Sequence, residues 1–173
     1  MTQYPQDDFM FVSLYTRNRE PFLKSKESKR LLLAKLMETK KQFRIVIAAY
    51  VLLDDHMHLL FSSPPGSECS AIVNHLRAGM QKEWRKDVQS QDDAQIWEHG
   101  FKMSVVRGKN ELRNHMDFIH YDAVRHGLVE RAGDYRWSSL PARVAEGHYP
   151  DDWSVLAPPA GVARVLRPMA AIQ

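Results

Sequence analysis

The chain has 173 residues, 44% of them hydrophobic and 26% charged, and a formal net charge of +3. These values suit one globular domain with a sizeable core, and no apolar run approaches the roughly 20 residues that a membrane-spanning helix needs. The single cysteine, Cys69, excludes an internal disulfide framework and a multi-cysteine zinc site, and suits a reducing cytoplasm. The opening residues, Met1 to Asp8, are polar and acidic, unlike a signal peptide.

Residues 9–16 are aromatic, β-branched and few, and read as a strand. Residues 17–21 form a turn. Residues 25–41 are expected as a helix, with Leu31, Leu32, Leu33, Leu36 and Met37 as its apolar stripe. Residues 43–53 read as a second strand, Asp54 and Asp55 as a tight turn, and residues 56–62 as the returning third strand. Ser63-Pro64-Pro65-Gly66-Ser67 breaks the chain. Residues 70–86 read as a second helix, with Ile72, Val73, Leu76, Met80 and Trp84 along one side. Residues 89–94 read as a loop, and Ile96-Trp97 and residues 101–106 as short strands. Residues 110–126 form a third helix, capped by Asn110 and ended at Gly127. Beyond Leu128, loops and short helices are expected, with residues 1–153 as one domain and 154–173 as a C-terminal tail.

The order β-α-β-β-α-β-α is that of an α+β, ferredoxin-like split βαβ fold. It predicts an antiparallel sheet with helices packed on one face and the other face free for a substrate.

The most informative feature is the pair His56 and His58 in the third strand. Alternate strand residues share a face, so both imidazoles point one way and Met57 points into the core. Two imidazoles on one face can chelate a cation. The third helix offers partners, because residues three, four and seven apart share a face. One such face holds His115, Phe118, Tyr121, Asp122 and Arg125 and reads as a polar stripe; Leu112, Met116 and Ile119 are the better core candidates. Asp122 could complete a His-His-carboxylate site for Mg²⁺, Mn²⁺ or Zn²⁺. The plainer alternatives are two satisfied surface or core histidines and a solvated carboxylate. Two basic clusters stand out: Lys102, Arg107, Lys109 and Arg113 around Glu111, and Lys82, Arg85 and Lys86 around Trp84. Such clusters fit nucleic acid or, equally, solvated helix faces.

Three ordered blocks carry a resemblance. Leu53-Asp54-Asp55-His56-Met57-His58-Leu59-Leu60 resembles the HUH motif (His, hydrophobic, His) of single-strand DNA transposases. Phe118-Ile119-His120-Tyr121-Asp122-Ala123-Val124-Arg125-His126-Gly127-Leu128-Val129 resembles their Tyr-Ile-His-x-Asn-Pro-Val-(Lys/Arg)-x-Gly-Leu-Val block. Asp134-Tyr135-Arg136-Trp137-Ser138-Ser139 resembles the block that follows it, and Ile96, Trp97 and Phe101 fit the tryptophan-containing element before the helix. Together these features resemble the REP-associated tyrosine transposases, a branch of the single-tyrosine HUH superfamily.

The resemblance implies a divalent metal ion, Mg²⁺ or Mn²⁺, held by His56, His58 and Asp122 against a scissile phosphate. It implies a tyrosine that attacks phosphorus, leaving a 5′-phosphotyrosine link and a free 3′-hydroxyl. It implies as substrate a single-stranded DNA folded into a REP hairpin with a short guide sequence beside it. The nucleophile position falls on Phe118, and a phenyl ring cannot attack. Asp122 in place of Asn keeps an oxygen ligand and adds a charge; Ala123 in place of Pro puts little in doubt. Three explanations of Phe118 compete: an introduced Tyr-to-Phe change, a natural binding-only descendant, or Tyr121 acting instead or in support. The expectation is a cleavage-deficient chain, with a nucleic-acid-binding module lacking catalysis as the alternative and a metal-dependent phosphoester hydrolase as a further rival. Arg107, Lys109, Arg113 and Arg125 are candidates for DNA phosphates, and Trp84 with Arg85, or Trp97, for base stacking, against core packing of both tryptophans. Superfamily relatives dimerise by exchanging the tyrosine helix whereas this branch resembles monomers, so monomer and dimer both stay open.

Overall fold

Four strands form the sheet: β1 (Phe9–Tyr15), β2 (Val46–Leu52), β3 (His56–Ser62) and β4 (Lys102–Val106). The structure is a computed structural model and describes residues 8–87, 94–153 and 159–170. The strand order is β2-β3-β1-β4, with every neighbouring pair antiparallel. β1 and β2 therefore run parallel with β3 between them, which is the split βαβ arrangement expected from the element order. Helix α1 (Lys26–Phe43) joins β1 to β2, and α2 (Cys69–Asp87) lies between β3 and β4. Helix α3 (Gly108–Arg125) follows β4, and α4 (Leu140–Ala145) and α5 (Ala160–Ala170) are the described α-helices beyond it. Of the expected loop over residues 89–94, all but Ala94 lies outside the described residues. No described helix is long and apolar enough to cross a membrane.

One expectation is corrected. The sheet does not leave a free face at its centre, because all seven residues of β3 are buried. The register sets Phe11, Ser13 and Tyr15 beside Leu60, His58 and His56 on one face, and α3 lies over it. The other face presents Val12, Leu14, Met57, Leu59 and Phe61 to the core, with Met57 fully buried as its parity predicts. There α1 and α2 pack on each other, and α1 also packs on β2. Phe11 of β1 pairs with Leu60 on the histidine face, and Met57, Leu59 and Phe61 fill the other, so both faces demand cover.

Local chemistry explains the element ends. Ser25 caps α1 by accepting from the Ser28 N–H at 3.0 Å. Lys29 is buried in α1, and its Nζ reaches Asp54 Oδ1 at 2.5 Å and the Leu23 carbonyl at 2.8 Å, tying the helix to the turn before His56. Helix α3 begins two residues earlier than expected, at Gly108 with Arg107 as its N-cap, so Asn110 is not the cap. The exit from β4 needs a left-handed residue, and Gly108 supplies it with φ of 77°. The far end stops at Gly127, φ 69°, as expected. Beyond it, the Leu52 N–H donates to the Trp137 carbonyl and the Ser139 N–H to the Tyr50 carbonyl, so residues 137–139 cover the outer edge of β2. Helix α5 packs on α3.

Candidate metal centre

The pleat of β3 aims both histidines at α3, and the helical repeat of α3 returns Phe118 and Asp122 to that same side. Asp122 Oδ2 lies 3.4 Å from His56 Nε2 and 3.3 Å from His58 Nε2. One donor atom from each of the three residues lies within 4.8 Å of the others. All three side chains are buried, at 2% exposure or less. The plainer readings, separately packed histidines and a solvated carboxylate, do not describe this arrangement.

The outer atoms of the cluster are engaged. His56 Nδ1 lies 2.6 Å from Asp55 Oδ1, and His58 Nδ1 lies 2.8 Å from Ser13 Oγ. A proton on each Nδ1 satisfies both contacts and leaves each Nε2 with its lone pair. Arg125 grips the other carboxylate oxygen, with Nε at 2.6 Å and Nη2 at 2.5 Å from Asp122 Oδ1. Asp122 Oδ2 is buried and has no hydrogen-bond partner. Two imidazole lone pairs and one carboxylate oxygen thus converge, and that donor set fits a divalent cation. Burial alone would push the Asp122 carboxyl up; without a cation, His56 and His58 can turn a protonated Nε2 to it instead, and with Arg125 they outweigh burial and hold the group well below the usual carboxylate range. Burial pushes His58 down, towards the neutral form a metal ligand needs.

Phe118 is also at the centre, 1% exposed. Its ring centroid lies 5.3 Å from that of His58 and 6.0 Å from that of Phe11, and the Arg125 guanidinium sits 5.3 Å from the ring centroid. His115 meets Phe11 edge-on, at 5.0 Å. The predicted stripe is therefore real, but its middle is core rather than solvated surface. Tyr121 is half-buried and, among the described residues, makes no hydrogen bond or ring contact with His56, His58 or Asp122.

The basic candidates separate. Arg125 belongs to the centre. Arg107 is exposed at the start of α3, with Nε 3.2 Å from Asp8 Oδ2, and Lys109 is exposed beside it. Arg113 is exposed, 5.3 Å from the Tyr149 ring centroid and 3.4 Å from Asp117 Oδ1. Trp84 meets Phe22 edge-on and packs against the core, and Arg85 beside it is half-buried. Trp97 is buried and donates Nε1–H to the Arg77 carbonyl at 3.1 Å. Core packing describes both tryptophans.

Four neighbours of the centre escape a sequence reading. Asp55 directly precedes His56, and Ser13 is a polar residue in an apolar strand, so each carried a weak signal. His126 lies with its ring 4.9 Å from that of His56 and its Nε2 3.8 Å from Asp122 Oδ1, and burial pushes it down. Arg19, whose Nε lies 3.0 Å from Asp55 Oδ2, gave no signal at all.

Comparisons with known proteins supply the family. Residues 10–122, which include His56, His58, Phe118 and Asp122, match the family model described as "Transposase IS200 like". The chain is 30% identical over 124 residues to a Haemophilus influenzae protein assigned to the REP-associated tyrosine transposases, covering 67% of this chain and 70% of that one. It is 28% identical over 148 residues to the REP-associated tyrosine transposase of Escherichia coli, covering 83% of each. A solved REP-associated tyrosine transposase bound to a REP hairpin superposes with a TM-score of 0.72 at 26% identity, over 88% of this chain and 91% of that one. A transposase-like structure from Deinococcus radiodurans shares the fold, with a TM-score of 0.51 at 14% identity. With the split βαβ sheet and the ordered blocks in place, the chain belongs to the REP-associated tyrosine transposases, within the IS200-like transposase family.

Proposed function

We propose that this chain binds single-stranded DNA folded into a REP-like hairpin, holds Mg²⁺ or Mn²⁺ at His56, His58 and Asp122, and does not itself cut the strand. One observation carries the last point: Phe118 fills the buried place against His58 where the family resemblance puts the nucleophilic tyrosine. Hairpin binding is supported by the related structure solved with a REP hairpin.

When bound, the cation supplies Lewis-acid polarisation of a phosphate oxygen. The chain's own residues do the rest. Asp55 and Ser13 fix the two imidazoles, and Arg125 holds Asp122 while its partly exposed guanidinium can meet a DNA phosphate. Strand cleavage in this chemistry requires a bond from a tyrosine oxygen to phosphorus as the bond from phosphorus to the 3′-oxygen breaks. Phe118 has no lone pair to form it. Tyr121 is a poor substitute, because three residues along a helix displace a side chain by about 5 Å and roughly 60°.

The test is a labelled single-stranded hairpin incubated with the protein and Mn²⁺, then divided between native and denaturing gels. The expected result is a retarded native band and no detergent-resistant adduct. A covalent protein–DNA species would overturn the cleavage-deficient reading. Equal affinity for the hairpin and for an unstructured strand of the same composition would overturn hairpin recognition.

A further inference from the structure

We infer that Asp55 and Arg19 form a positioning pair that aims His56 at the cation and sets how tightly the centre holds it. The inference rests on the metal site proposed above. The two histidines are held differently: His58 has the Ser13 hydroxyl at its outer nitrogen, whereas His56 has the Asp55 carboxylate at 2.6 Å. A carboxylate accepting from Nδ1–H fixes the tautomer and the ring rotation and makes Nε2 a stronger donor. Arg19 occupies the other oxygen, with Nε 3.0 Å from Asp55 Oδ2. This contact turns the carboxylate to its arginine and its histidine, so Asp55 acts through His56 rather than as a ligand.

The surroundings hold this pair in place. The Arg19 guanidinium lies 4.3 Å from the centroid of the Tyr15 ring, and that ring lies 5.5 Å from His56. Tyr15, His56, Asp55 and Arg19 thus close a circle. The Asp55 carbonyl accepts from the Thr16 N–H at 2.9 Å, and the Thr16 hydroxyl is shared between that carbonyl at 2.8 Å and the Glu20 carbonyl at 2.6 Å. The Asp54 carbonyl accepts from the Leu23 N–H, and its carboxylate from Lys29. Asn18 and Arg19 both adopt left-handed backbone, φ 53° and 58°. Residues other than glycine seldom do so, and such conformations persist where their surroundings over-determine them. For Arg19 those surroundings are Asp55 and Tyr15.

The experiment uses the full chain, titrated calorimetrically with Mn²⁺ and with Co²⁺, the Co²⁺ visible spectrum, and thermal melting in EDTA. Asp55→Ala is expected to weaken metal binding by about 10–100-fold, and to alter the Co²⁺ spectrum, at a melting temperature in EDTA close to that of the parent. Asp55→Asn should fall between, since an amide oxygen still accepts from Nδ1–H but brings no charge. Arg19→Ala, at a half-exposed side chain, should weaken binding in the same direction. Parent-like affinity and spectrum in Asp55→Ala would overturn the inference while leaving the metal site intact. If Asp55→Ala does not fold, parent-like affinity in both Asp55→Asn and Arg19→Ala would overturn it instead. A parent protein that binds neither ion would defeat the metal reading itself, and the positioning pair with it.

Discussion

The Phe118 ring lies against the His58 imidazole, their centroids 5.3 Å apart, with the Arg125 guanidinium near the ring. On the proposed reading this is the place of the nucleophile, kept in all respects but one: a ring is held beside an imidazole of the candidate metal centre, and the ring has no oxygen. If only that atom is missing, the chemistry should be recoverable.

Phe118→Tyr should restore strand cleavage. The expected product is a detergent-resistant protein–DNA adduct on a single-stranded hairpin with Mn²⁺, absent when His56→Ala is added. If the new hydroxyl finds no partner in its buried place, the variant should also lose roughly 1–3 kcal/mol of stability. No adduct over a range of hairpins and metals would show that the deficiency lies deeper than one atom.

Arg125→Ala should destabilise the fold and increase its dependence on metal. Asp122 is fully buried, and Arg125 supplies the bond to its Oδ1. Breaking a buried ion pair costs about 3–5 kcal/mol, and the partial exposure of Arg125 lowers the expectation to about 2–3 kcal/mol. Urea unfolding with and without Mn²⁺ checks this: the ion should restore part of the loss, and Arg125→Lys should lose less than Arg125→Ala.

His120 should make the protein acid-sensitive. It is buried in α3, with Nε2 2.8 Å from Ser139 Oγ, and burial together with the charges of Arg143 and Arg113 pushes its pKa down to about 3 from 6.5. Between those values the unfolded chain binds a proton that the folded chain refuses, so stability falls as pH falls through this window. The slope from this group is at most about 1.4 kcal/mol per pH unit. His58, also pushed down by burial, acts in the same direction. Asp122 is held below its ordinary range, so its contribution is present above the unfolded carboxyl pKa and is lost only at still lower pH. Urea midpoints at pH 7.5 and 5 should differ in the parent and differ less in His120→Gln.

Two helical glycines should respond oppositely to alanine. A Cβ on Gly161 of α5 would meet the Asn114 Cα at 2.9 Å and its carbonyl oxygen at 3.3 Å, both backbone atoms of α3. Gly161→Ala should therefore push α5 off α3 and cost about 1–3 kcal/mol. A Cβ on Gly79 of α2 would meet only the flexible Lys35 side chain, at 3.4 Å. Gly79→Ala should be neutral or stabilise by up to about 1 kcal/mol. Thermal melts of the two variants side by side test both.

Much of this molecule was legible in its sequence because the deciding physics is local. The period of a strand put His56 and His58 on one face, and the period of a helix put Phe118, Asp122 and Arg125 on another. Three ordered blocks carried the family, and turn chemistry marked the end of α3 at Gly127. The start of α3 was misplaced because the exit from β4 at Gly108, rather than an Asn side chain, begins the helix. The cover on the histidine face is not legible along one strand, because Phe11 of β1 and Leu60 of β3 meet there only once the strands pair.

Local periodicity alone says which donors exist and which of them share a face. The packing of helix on sheet alone lays α3 over the histidine face, brings Asp122 Oδ2 to both Nε2 atoms, and sets Asp55, Arg19 and Ser13 behind the two imidazoles. Those contacts join residues far apart in the chain. They follow from how helix and sheet pack, which no local periodicity encodes.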